Sequence, residues 1–211
     1  MTVPHHPSPA AAKVELRRRL RSARAARPAD LQELAARQLA GWALAEFAGG
    51  VVAGYASYGS EPGTTSLRAA LRATGTTVLL PVIRGEVLAW VVDDGADHPR
   101  RGERNMPEPA GDIVGVGGAG LLALNCQVVL LPALAVTATG IRLGQGGGFY
   151  DRLLADLPRH PPGPLRVAVV HQDEFLLPGE IPYEPHDQLG GVDMVLTPQG
   201  VHLVTASSAG D

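Results

Sequence analysis

Lysine is nearly absent from this 211-residue chain: of its 18 basic residues all but Lys13 are arginine. Cysteine is as scarce. The single Cys126 excludes an intrachain disulfide, and with no Cys/His metal spacing it points to a reducing, cytoplasmic setting. It lies in the apolar run Leu121 to Leu131 and reads as a small buried hydrophobe. Long hydrophobic runs are missing too. The longest apolar region, Gly120 to Val136, is broken by Asn125, Gln127 and Pro132, too often for a membrane span. No charge of one sign dominates, since the formal net charge is −3, so nothing calls for a nucleic acid or an anionic membrane as partner. At 4% aromatic the chain also lacks an aromatic-rich sheet motif for stacking RNA bases. The first nine residues hold Pro4, Pro7, Pro9, His5 and His6 without a basic stretch leading into an apolar one, and read as a tail rather than a signal peptide.

What is present reads as one globular domain over residues 10–205, with tails at 1–9 and 206–211 and a monomer as the working expectation. Ala10 to Arg27 has helical spacing, with Leu16, Leu20 and Ala23 on one stripe and Lys13, Arg17, Arg21 and Arg24 on another. Pro28 and Asp30 end this helix and cap a second one running to about Phe47. Val51–Tyr58, Thr76–Val82, Glu86–Val92, Gln127–Leu131, Arg166–Val170 and Met194–Leu196 read as strands, and Thr65–Ala73 and Phe149–Leu157 as helices. Asp93 to Gly120, rich in proline and glycine, reads as a long irregular segment. The alternation predicts an α/β fold: a mainly parallel central sheet with helices on both faces and an N-terminal helical pair. Ligands of such sheets sit beyond the carboxyl ends of the strands.

At that position, after the apolar strand Gln127–Leu131, comes the stretch Gly140 to Arg152, with Gly144, Gly146, Gly147 and Gly148 packed into five residues. Glycine lets backbone N–H groups turn inward, and a helix starting at the end of the run adds its positive pole, so a phosphate chain is the natural guest. The stretch is neither a P-loop, since no lysine follows, nor G-x-G-x-x-G, since Phe149 takes the place of the third glycine. Asp151 reads either as a magnesium ligand or as an acid facing the helix dipole. A second acid could come from Glu184 to Asp187 or from Asp193. In so arginine-rich a chain, Lys13 marks either a place that needs a compact ammonium or a chance survivor.

Leu131-Pro132-Ala133-Leu134-Ala135, followed by Gly140-x-Arg142-Leu143-Gly144-x-Gly146-x-Gly148-x-Tyr150-Asp151-Arg152, resembles the signature of the 5-formyltetrahydrofolate cyclo-ligase (methenyltetrahydrofolate synthetase) family. Lys13-x-x-x-Arg17, Ser60-Glu61-Pro62-Gly63-Thr64, Pro107-Glu108-Pro109 and His186-Asp187 match in order, so the resemblance spans roughly residues 13–200. It implies an enzyme that uses Mg-ATP to close 5-formyltetrahydrofolate into 5,10-methenyltetrahydrofolate. By the same resemblance Lys13 and Arg17 would reach the ATP phosphates, and Arg142, Gly144, Gly146, Gly147, Gly148 and Tyr150 would cradle them, with Arg152 in support. Asp151 and Asp187 would hold magnesium, and Lys13, Arg142 and Asp151 would carry the catalysis. Glu61, Pro107 and Glu108 would meet the folate, with Trp90 or Tyr58 as the stacking aromatic. A non-catalytic folate or nucleotide sensor on the same fold is the alternative, because fold alone does not fix function.

Overall fold

A computed structural model describes residues 8–96, 100–103, 107–184 and 190–205. The expected tails, apart from Ser8 and Pro9, lie outside these residues, as does Asp187. Helix α1 spans Pro9–Ala25. It begins at a proline, whose missing N–H costs nothing in a first turn, and the Ser8 hydroxyl accepts from the Ala11 N–H at 3.3 Å. Helix α2 spans Ala29–Phe47. Contrary to expectation its cap is Pro28 without a side-chain hydrogen bond, and Asp30 sits in the first turn, where its charge meets the dipole.

The chain continues through β1 (Val51–Ala53), α3 (Thr65–Ala73), β2 (Thr77–Arg84) and β3 (Val87–Val92). Then come β4 (Arg100–Arg101), β5 (Pro107–Glu108), β6 (Ile113–Val116) and α4 (Ala119–Asn125). Strands β7 (Val128–Pro132), β8 (Ala135–Thr137) and β9 (Arg142–Leu143) lead into α5 (Phe149–Asp156), β10 (Leu165–Val169), β11 (Phe175–Leu176), β12 (Met194–Thr197) and β13 (Gly200–Leu203).

The main sheet has the order β13-β12-β10-β7-β1-β2-β3-β6. Strands β12, β10, β7, β1 and β2 run parallel; β13 on one edge and β3 beside β2 run against them, and the edge strand β6 pairs antiparallel with β3. The period-2 alternation of a strand sorts its side chains between two helical layers. Val52, Val128 and Leu130 pack with α2 and α3 residues such as Leu39, Phe47 and Leu67. Ala53, Val129 and Leu131 pack with Leu122 of α4 and Leu153 and Leu154 of α5. The expected α/β architecture with helices on both faces is what the chain adopts.

Two expectations change. The first strand stops at Ala53 instead of Tyr58, because the next residues turn into a loop that Ser57 and Thr64 close: each backbone N–H donates to the other's hydroxyl at 3.0 Å. The segment expected to be irregular carries β4, β5 and β6. Beyond β7 the chain builds a second, three-stranded sheet, β11-β8-β9, whose apolar residues Leu134 and Leu143 pack against Leu16 and Leu20 of α1. Among the described residues no helix is long and apolar enough to cross a membrane.

Candidate functional site

At the carboxyl ends of β1, β2 and β7 lies a cavity of about 530 Å³, within the usual range for a small-molecule site. Pro132 ends β7 on its wall, and Tyr55 and Ala56 follow β1 into it. Arg142, Gly144, Gly146, Gly147, Gly148, Tyr150 and Asp151 line it together with Glu61, Pro107 and Glu108. The sequence-predicted residues of both groups thus share one cavity. Lys13, Arg17 and Arg152 are not among the lining residues; Arg17 and Arg152 lie against the loop at Gly144 and Gly148.

The glycine loop is positioned by the hairpin of β8 and β9. Its turn needs Gly140, with φ of 81° and a Val192 carbonyl oxygen 2.7 Å from where a Cβ would sit. From β9, Arg142 reaches back to the Pro132 carbonyl at 3.1 Å and forward to the Asp151 carboxylate, tying the loop to the sheet and to the first turn of α5. Gly146 and Gly148 adopt left-handed φ values of 102° and 73°, and Gly148 caps α5. Two loop carbonyls are held from α1: Arg17 Nε donates to Gly144 O at 2.9 Å and Arg21 Nη2 to Gln145 O at 2.7 Å. In a trans peptide the next N–H points opposite to the carbonyl. The amides of Gln145 and Gly146 therefore point away from α1, and the N-terminus of α5 follows directly at Gly148.

The basic stripe of α1 is the face that turns inward. Lys13 is 7% exposed, its ammonium 3.0 Å from a Glu184 oxygen. One of the two open sources of a second acid is thereby engaged with the lysine. The other, Asp193, accepts from the Arg166 N–H at 2.9 Å on the sheet. Arg24, 1% exposed, forms a forked pair with Glu174, which also accepts from the His171 N–H. Burial opposes the Arg24 charge, but Glu174 more than offsets it and the pKa stays raised. Removing one partner of such a pair costs about 3–5 kcal/mol, so this contact fixes α1 to the body of the protein. Sequence spacing gave Arg24 its place on the stripe, while Glu174 had no local signal.

Asp151 keeps an exposed carboxylate, 61% accessible, with one oxygen on Arg142. Among the described residues no three His, Cys, Asp or Glu side chains converge on a metal-sized site. Among the cavity-lining acids, Asp151 is the one with an exposed carboxylate that could meet a metal ion. Arg152 points outward: its Nε donates to the Glu86 carbonyl at 3.0 Å and its guanidinium lies 4.9 Å from the centre of the Phe149 ring.

The cavity also has an apolar side. Pro81, Ile83 and Leu88 of β2 and β3 form its apolar wall. Burial pushes the Glu61 carboxyl above the usual range, against a hydrogen bond from the Tyr58 N–H (2.9 Å), the Arg24 charge and a hydrogen bond from Gln145. Gln145, not expected as a site residue, thus links α1, the glycine loop and Glu61. The Tyr150 phenol is also pushed up, by burial first and then by Glu61. Glu108 spends its carboxylate on the Ile83 N–H (2.8 Å) and Arg84 (3.2 Å), so it holds the Pro107–Pro109 wall against β2. Of the two candidate stacking aromatics, Trp90 is fully buried in the core, while Tyr58 is 58% exposed on the cavity.

Residues 9–198 match the family model described as the 5-formyltetrahydrofolate cyclo-ligase family. A protein of Mycolicibacterium smegmatis named 5-formyltetrahydrofolate cyclo-ligase is 36% identical over 200 residues, 89% of this chain and 94% of that one. Among solved structures, a 5,10-methenyltetrahydrofolate synthetase of Aquifex aeolicus superposes with a TM-score of 0.71 at 21% identity, covering 94% of this chain and 96% of that one. Another from Mycoplasma pneumoniae gives 0.65 at 15% identity, over 87% and 97% of the two chains. At those identities the two structures speak for the fold.

Proposed function

Because the chain belongs to the 5-formyltetrahydrofolate cyclo-ligase family, we propose that it uses Mg-ATP to convert 5-formyltetrahydrofolate into 5,10-methenyltetrahydrofolate, with release of ADP and phosphate. The observation that carries this reading is one cavity lined by both the glycine loop and the half-buried acid Glu61. Two substrates of unlike chemistry can meet there with their reacting atoms adjacent, and positioning of that kind is a large part of catalysis.

An amide oxygen leaves poorly as hydroxide and well as phosphate. In the proposed reaction the formyl oxygen attacks the γ-phosphorus of ATP and the bond to ADP breaks. The folate amine N10 then attacks the activated formyl carbon and loses its proton, and the phosphate departs with the former formyl oxygen. The loop amides and Arg142 hold the γ-phosphate, with Lys13 and Arg17 closing over it from α1. Asp151, with Asp187 outside the described residues, would hold magnesium, which would supply neutralisation of the phosphate charge. Glu61 accepts N–H donors of the folate ring, Tyr58 offers a face for stacking, and Pro107 and Glu108 shape the wall. The protein acts in the cytoplasm as a monomer on small molecules, with neither nucleic acid nor membrane as partner, in line with its single cysteine and its net charge of −3.

The test is direct. Purified protein with Mg-ATP and 5-formyltetrahydrofolate should develop the near-ultraviolet absorbance of the methenyl product, with one ADP released per product. Absence of product at saturating ATP and metal would refute the proposal.

A further inference from the structure

Tyr55 takes part in neither the glycine-loop nor the Glu61 contacts described above, yet it is among the residues that line the cavity. It is 3% exposed, and its ring packs in the core layer that also holds Val52 and Leu67. Its backbone is fixed, since its carbonyl accepts from the Thr64 hydroxyl at 2.7 Å. Among the described residues its own hydroxyl is buried and has no hydrogen-bond partner. Phenylalanine would fill the same apolar space without that unpaired group. A buried polar group left unsatisfied destabilises the protein, so a tyrosine here points to an acceptor that arrives with a ligand.

The chemistry of that acceptor follows from the neighbours. Burial, reinforced by the negative charge of Glu61, pushes the Tyr55 phenol well above its usual range, so it is a donor throughout the physiological pH span. Tyr150 and the Arg24–Glu174 pair are close enough to add to its electrostatic surroundings. Glu61, in contrast, accepts. A carboxylate beside a phenolic donor complements an amide-like ring edge, in which N–H donors stand next to a carbonyl, and the pterin ring of a folate has such an edge.

Resting on the functional reading above, we propose that the Tyr55 hydroxyl is a second recognition point for the folate ring, donating to its carbonyl while Glu61 accepts from the adjacent N–H groups. A pocket built to hydrogen-bond a substrate group discriminates strongly against analogues without it.

The experiment compares wild type with Tyr55→Phe. The variant should raise the KM for 5-formyltetrahydrofolate about tenfold while the KM for ATP stays within about twofold. Its ligand-free Tm should equal or exceed that of wild type, because the unpaired hydroxyl is gone. By calorimetry its affinity for a folate analogue with an amino group in place of the ring carbonyl should match wild type. An unchanged folate KM in an active variant overturns this inference alone. So does a variant that fails to fold, or one whose Tm falls while both KM values rise, since either would make the hydroxyl structural. A wild-type protein that forms no product overturns the functional reading and this inference with it.

Discussion

Around the glycine loop the charged groups come from distant parts of the chain and already hold protein partners: Arg17 with Gly144 O, and Arg142 with Asp151. Around Glu61 the cavity wall includes Pro81, Ile83 and Leu88, and burial pushes up both Glu61 and the Tyr55 phenol. One region is held by ion pairs and hydrogen bonds and the other is walled by apolar side chains. The difference suits the two proposed guests. A phosphate chain carries its own charge and water, and exchanges against a ring of fixed cations. A neutral ring is recognised by a few hydrogen bonds, which a low-dielectric wall strengthens.

Three perturbations probe that division. The largest effect is expected from Arg142→Ala, which removes both the tie to Pro132 and the partner of Asp151. Steady-state kinetics should show kcat/KM falling by roughly 10²–10³-fold, as for other groups aimed at transition-state charge. Arg142→Lys should recover only part of this, since an ammonium cannot fork. Next, Lys13→Ala should raise the KM for ATP by about 10–100-fold, the value of a hydrogen bond to a charged group, with the folate KM nearly unchanged. An equal rise in both would erase the distinction between the two regions.

The smallest effect concerns pH. Glu61 accepts N–H donors at both oxygens, and with the strength of a charge, only when ionised, and its folded pKa is raised. Folate affinity should therefore decline as pH falls, starting at a higher pH than for an ordinary glutamate, and Glu61→Gln should lack this pH limb. For stability the sign is opposite. Between the unfolded and the raised folded pKa the native state binds more protons, so stability falls as pH rises. The Tm of ligand-free Glu61→Gln should accordingly gain on wild type with increasing pH across that window. A pH limb that persists in the variant would assign the titration to another group.

Much of the fold was legible because its strands and helices carry clean periodicity. Val128–Pro132 is continuous apolar sequence and is a central strand buried on both faces, and Thr65–Ala73 is a helix with the expected bounds. Where periodicity and tertiary contact disagreed, contact won: Val51–Tyr58 is β-rich, yet only three residues pair, because the Ser57–Thr64 closure draws the rest into the cavity wall. The glycine loop was readable since its residues are contiguous. The role of Glu108 as a brace on Ile83 and Arg84 was not, because that depends on pairings across the fold. Glu174, Gln145 and Tyr55 were invisible for the same reason. The inward turn of the α1 basic stripe had a partial signal in the spacing of Lys13, Arg17, Arg21 and Arg24, but a basic stripe alone does not say which way it faces.

The most direct measurement follows the formyl oxygen. With substrate carrying a heavy oxygen isotope in the formyl group, mass spectrometry of the released phosphate should find one labelled oxygen per methenyl product, because that oxygen attacks phosphorus and leaves with it. Label in water, or phosphate released unlabelled at the same stoichiometry, would contradict the account of a cavity that joins the formyl group to the γ-phosphate.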